Sequence, residues 1–225
     1  MAYVVVAPGE GTGSAHVLEC GWMGSRDAAE LAVFGRIPPE RQVNIDSLFG
    51  LLHAARASCG HQDYVVVGSL SVLGMVQVMT IPADMTMSID ADCYTPADPP
   101  RIFDLQAALG EGSAYHLAHG IYLDPVSPKL PTLPDGWEQR LIRVARDQTV
   151  AHFLDPNDAA VSKLARGEPR DLRWVRAGLI AGIVSLPAVR LRVRSTNFLD
   201  PQEEKTALQA LESLASGKPP RKARP

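Results

Sequence analysis

With 225 residues, 46% of them hydrophobic and 21% charged, the chain has the composition of a globular protein that buries a sizeable core, as one large domain or two small ones. A formal net charge of −3 argues against a globally basic nucleic-acid or membrane-surface binder, so any such surface has to be local. Three scattered cysteines, Cys20, Cys59 and Cys93, argue against a disulfide framework or a zinc centre, and apolar runs of strand length only, behind a start that is not basic, point to a soluble cytoplasmic protein with no membrane partner.

Residues 1–22 are Gly-rich and read as a flexible extension; Met23 opens a more ordinary segment. Gly9-Glu10-Gly11-Thr12-Gly13-Ser14 follows a short apolar run but lacks the lysine of a phosphate loop, which leaves a turn. From Ile45 to Ala57 apolar residues recur with helical period, and Asn44 or Asp46 supplies the cap. The β-branched run Tyr64–Val67 predicts a strand ending at Gly68, before a helical-looking Leu70–Leu73. Met85–Asp92 alternates strictly and predicts a strand with Met85, Met87, Ile89 and Ala91 on its core face and Thr86, Ser88, Asp90 and Asp92 opposite.

Further on, a short helix is predicted over Ile102–Leu109 and strands over Gly120–Leu123, Leu141–Ala145 and Val150–Leu154. Then Pro156–Arg166, Pro169–Gly182, Pro187–Arg194 and Pro201–Ala215 each open on proline near a capping residue, a helix-start signal. These signals predict a mixed sheet domain over 23–154, a helical domain over 155–216 and a disordered basic tail over 217–225. An apolar stretch over Leu179–Leu186 permits self-association.

Residues two apart on a strand point the same way, so Asp90 and Asp92 can converge on a hard cation such as Mg²⁺ or Mn²⁺, or serve only as a soluble strand edge. Gly68-Ser69, after a strand and before a helical turn, can bring backbone N–H groups and a hydroxyl to a phosphate. Lys163 and Arg166, three apart, share a helix face that suits an anionic triphosphate; the alternative is that Lys163 pairs with Glu168 or Asp171. His116 and His119 lack the company of further zinc-type ligands, which favours a structural hydrogen bond from His116 to the Glu111–Ser113 turn. Trp137 and Trp174 read as core or domain-interface residues.

The blocks Val65–Gly74 and Ser88–Asp92, followed by Leu109–His116, Leu133–Trp137 and Leu154–Leu164, resemble the opening and continuation of the polymerase-β-type nucleotidyltransferase fold. Within it, the chain is similar to bacterial nucleotidyltransferase-like proteins akin to the AbiEii toxins, over roughly residues 45–195. The resemblance implies an α/β (α+β) architecture: a nucleotidyltransferase-like mixed sheet flanked by helices, then a helical C-terminal domain. It implies transfer from a nucleoside triphosphate to an RNA (including tRNA) or protein acceptor, and a possible antitoxin-like partner; the alternative is a catalytically inactive binding protein of the same fold. It makes Asp90 and Asp92 the metal carboxylates and Asp124 the positional candidate for a third, with Glu111 its rival. Asp158 and Lys163 look like the Asp-x4-Lys element of those proteins.

Overall fold

The computed structural model describes residues 43–129, 131–198 and 200–216; the extension 1–22, the Gly9–Ser14 turn and the tail 217–225 lie outside the described residues. Helix α1 spans Ile45–Cys59, where Asn44 accepts from the N–H groups of Asp46 and Ser47, while the Ser47 hydroxyl accepts from the Asn44 N–H. Its Leu48, Leu51, Leu52 and Ala55 are fully buried, as their spacing requires.

Strand β1, Asp63–Val66, carries Tyr64, Val65 and Val66 in succession, all buried. A continuous apolar run belongs to a strand covered on both faces, and β1 is the central strand of a five-stranded sheet ordered β3-β2-β1-β5-β4. The others are β2 (Asp90–Tyr94), β3 (Tyr122–Pro125), β4 (Ile142–Arg146) and β5 (Thr149–Phe153). β1 runs antiparallel to β2 and parallel to β5; β2 and β3 are parallel, and β4 and β5 form an antiparallel hairpin. That hairpin turns through Asp147 and Gln148, both at positive φ as a tight two-residue turn demands.

A 3₁₀ helix over Ser69–Met75 follows β1, and another over Pro99–Leu105 runs into α2, Gln106–Leu109. The short α3, Ala114–His119, absent from the sequence expectations, ends at Gly120 in the left-handed conformation, which moves the start of β3 to Tyr122. Four helices follow: α4 (Pro156–Arg166), α5 (Pro169–Ile180), α6 (Leu186–Arg194) and α7 (Pro201–Ser216). The first packs on each of the other three. The result is a mixed sheet flanked by helices and followed by a mostly helical C-terminal region.

The Met85–Asp92 strand is a correction. Only Asp90–Asp92 of that stretch is strand; Ala83–Met85 is a 3₁₀ turn, and Met87 and Ile89 are 68% and 41% exposed. Met85 is buried not by the sheet but against α5: its carbonyl accepts from the Trp174 indole N–H, and its methyl crowds Gly178. Ala91 alone carries out the expected anchoring, fully buried beneath the two aspartates. The apolar stretch near 179–186 is mostly turned inward, with Ile183 and Val184 buried and Ile180 89% exposed.

Candidate metal and phosphate site

The register of β2 and β3 decides which acids meet. Asp90 stands opposite Tyr122 and Asp92 opposite Asp124, so Asp90, Asp92, Tyr122 and Asp124 share one face of the sheet. One carboxylate oxygen from each of Asp90, Asp92 and Asp124 lies within 4.8 Å of one from each of the others. The third carboxylate that converges is Asp124; Glu111 stays on an exposed turn and reaches the group only through its field, as one of the charges that raise Asp124.

Three acids this close repel. Burial, then the charges of Asp90 and Asp124, push the Asp92 carboxyl up to about 7, against the opposing pull of Lys163 and Arg166. Asp124 is raised as well, by burial and then by Asp90 and Glu111. Among the described residues no lysine or arginine forms an ion pair with any of the three, and the one hydrogen bond to Asp90 comes from the Ser88 hydroxyl. A compact, oxygen-only set without a protein cation fits a hard divalent ion.

Gly68 adjoins this group. Its φ is +64°, and a Cβ built on it would lie 1.8 Å from Asp92 Oδ2, so both the backbone conformation and the approach of the carboxylate require glycine. The next residue, Ser69, accepts a hydrogen bond at its hydroxyl from Lys163 Nζ at 2.8 Å, and at its carbonyl from the Trp174 indole. A cavity of about 330 Å³ opens there, walled by Gly68, Asp92, Ser162, Lys163, Arg166, Thr132 and Glu203 among others.

Lys163 is 3% exposed. Burial draws its ammonium below the usual lysine range, partly offset by Asp171 at 3.4 Å, and the ring of Trp174 stacks beneath it at 4.9 Å. Asp171 also takes both arms of Arg166, each at 2.7 Å. Burial alone would raise Asp171, but Arg166 and Lys163 outweigh it and hold the acid below the usual carboxylate range. Of the two alternative partners for Lys163, Asp171 is the one it meets, while Glu168 pairs with Arg170. Even so, Lys163 and Arg166 both line the cavity while pairing with Asp171.

Asp158 faces elsewhere. It is fully buried, accepts from Arg140 at 2.9 and 3.1 Å and forms an ion pair with Arg192 at 3.0 Å, tying α4 to the 3₁₀ turn over Trp137–Arg140 and to α6. Five residues on a helix are nearly half a turn out of phase, which is why Asp158 and Lys163 part company. His116 does what its spacing suggested: its Nδ1 accepts from the Gly112 N–H at 2.9 Å, and its ring packs on Tyr122. Trp174 is a core residue, and Trp137 packs partly buried against the core. Asp171, Thr132 and Glu203 were not among the expected site residues; Glu203 comes from α7, 71 residues from the Thr132 hydroxyl that it accepts from, and no local pattern signals such a pair.

A family model described as "Nucleotidyltransferase of unknown function (DUF6036)" matches residues 46–214. No curated protein and no solved structure gives a significant match. Among the described residues no helix is long and apolar enough to cross a membrane.

Proposed function

The chain belongs to this family of nucleotidyltransferases of unknown function, and on that premise we propose that it moves a nucleotidyl group from a nucleoside triphosphate to a hydroxyl of an RNA or protein acceptor, in the manner of AbiEii-type toxins. The observation that carries the reading is the convergence of Asp90, Asp92 and Asp124 beside Gly68. These three would hold Mg²⁺ or Mn²⁺, which when bound offsets charge on the phosphate oxygens and acidifies an approaching hydroxyl.

The remaining work falls to positioning. Gly68, with no side chain, would let the chain's backbone approach the β- and γ-phosphates, and the Ser69 hydroxyl, which accepts from Lys163 Nζ, would keep its own proton to donate to them. Arg166, half-exposed at the cavity wall, is free to turn one face of its guanidinium to the triphosphate while Asp171 keeps the other. Lys163 braces Ser69 and adds its charge from behind. The acceptor oxygen bonds to the α-phosphorus, pyrophosphate leaves with its bonding electron pair, and the hydroxyl proton passes to solvent or a neighbouring carboxylate.

Incubation with each labelled nucleoside triphosphate, Mg²⁺ and total cellular RNA or protein is expected to label an acceptor, and Asp90→Asn to reduce that labelling at least a hundredfold. Labelling that survives Asp90→Asn overturns the assignment. A toxin role with an antitoxin-like protein partner is part of the same proposal, and co-expression of neighbouring reading frames followed by growth measurement tests it. Should the wild type bind nucleotide with metal yet label nothing, the catalytically inactive binding protein is the reading that replaces this one.

A further inference from the structure

The cavity beside the carboxylates is electrically lopsided. Gly68, Asp92, Lys163 and Arg166 form one part of its wall, where the transferase reading seats the phosphates. Another part of the same wall is Glu203, which reaches in from the first turn of α7. Among the described residues no lysine or arginine pairs with Glu203. The charges acting most strongly on Asp92, Lys163 and Arg166 are those of Asp90, Asp124, Asp171 and Glu168 and of one another; Glu203 is not among them, which sets it apart from the cationic part of the wall. An acid at a helix N-terminus needs no ligand to explain it, but Glu204 meets the helix dipole from an exposed position, whereas Glu203 is half-buried against the cavity.

One contact fixes Glu203 there. The Thr132 hydroxyl donates to its Oε2 at 2.8 Å. A threonine has a single hydroxyl proton, and this one goes to Glu203, so toward a ligand the pair presents lone pairs only. Such a wall repels phosphate oxygens and accepts from neutral O–H or N–H donors. In a nucleoside triphosphate whose phosphates lie by Lys163 and Arg166, the neutral donors that come next along the molecule are the 2′- and 3′-hydroxyls of the ribose. The base lies farther out. At about 330 Å³ the cavity is near the lower bound for enclosing a drug-sized ligand, too little for base, sugar and three phosphates together.

We propose that Glu203, positioned by Thr132, grips the ribose 2′- and 3′-hydroxyls of the incoming nucleotide, so that the protein selects ribonucleotides over deoxyribonucleotides and leaves the base unread at the mouth of the cavity. This rests on the transferase reading given above and deepens it. A carboxylate with two oxygens matches a vicinal diol, each hydroxyl donating to one oxygen, and the Thr132 hydrogen bond occupies only one of the lone pairs of Oε2. Loss of either hydroxyl leaves a carboxylate oxygen desolvated without a partner, which turns the contact into selectivity.

Binding is measured by titration calorimetry on the full chain in Mg²⁺, with no acceptor. The ligands are the α,β-methylene analogue of ATP, which cannot release pyrophosphate, its 2′-deoxy, 3′-deoxy and 2′,3′-dideoxy counterparts, and the α,β-methylene analogues of GTP, CTP and UTP. The wild type is expected to bind the ribonucleotide about tenfold more tightly than either monodeoxy analogue, and the four bases within about threefold of one another. In Glu203→Ala the preference for the hydroxyls should fall to about twofold or less, while the dideoxy analogue binds at least as tightly as it does to the wild type. Because the readout is a ratio of ligands within one protein, partial unfolding of a variant does not imitate the result. Thr132→Val, which releases Glu203 without removing it, should lose about threefold of the preference and serves as the variant should Glu203→Ala fail to fold. Equal binding of ribo- and deoxyribonucleotides by the wild type, selectivity among bases in place of sugars, or a full ribose preference in Glu203→Ala overturns this inference while leaving the transferase reading intact. No nucleotide binding by the wild type in Mg²⁺ overturns both.

Discussion

At the scale of single residues, the site is defined by atoms that leave each other no alternative. Gly68→Ala would drive a methyl into the Asp92 carboxylate and put a side chain at φ +64°, so we expect a loss of about 1–3 kcal/mol in denaturant unfolding and a weakened response to Mg²⁺. Asp90→Asn relieves repulsion within the triad and should leave the metal-free protein no less stable, while erasing the melting-temperature rise that Mg²⁺ or Mn²⁺ gives the wild type. That rise corresponds to about 2.7 kcal/mol at a hundredfold excess over Kd. A loss above about 2 kcal/mol in metal-free Asp90→Asn, with no metal effect on the wild type, would make Asp90 a structural hydrogen-bonding residue instead. The pH dependence follows from Asp92. Its folded value, about 7, lies above the unfolded one, so the fold favours the protonated acid; this contribution is fully present below about pH 4 and is lost as pH rises through about 7. Thermal melts of the metal-free protein should show that decline, and Asp92→Asn should flatten it.

At the scale of elements, α4 has two polar faces with different tasks. One turns Lys163 and Arg166 to the cavity, and the other buries Asp158 between Arg140 and Arg192. Removing one partner of a buried ion pair leaves charge uncompensated, so Asp158→Ala is expected to cost about 3 kcal/mol in chemical unfolding. The metal-induced stabilisation should survive in this variant; its loss would put Asp158 in the site. The next helix, α5, shows why the strand expected over Met85–Asp92 shortened: its surface, through Trp174 and Gly178, captures Met85 before the sheet begins at Asp90.

At the scale of the whole molecule, one hydrophobic cluster joins the sheet to the C-terminal helices, running from Leu52 and Val66 through Leu164 and Trp174 to Leu211. We propose that the boundary near 154 is a change of architecture within one cooperative unit rather than a break between two independently folding domains. Far-ultraviolet circular dichroism and tryptophan fluorescence should then report a single coincident transition, whereas separated midpoints would show two folding units. Much of this was legible from residues alone, because it depends on short-range regularities. The period of α1, the apolar run of β1, the proline starts of the last four helices and the Gly68-Ser69 turn are all local. Register was not local: Asp124 joins Asp90 and Asp92 only because β3 lies parallel to β2 with Asp124 opposite Asp92, a choice made by pairing residues 32 apart in the chain. Nor could spacing say that Lys163 would meet Ser69 and Asp171 while Asp158 turned to two arginines, since that depends on which side of α4 the sheet covers. Sequence determined the residues able to do the chemistry, and tertiary packing decided which of them meet, because side-chain chemistry is local whereas contact across strands and helices is set by how their buried faces fit together.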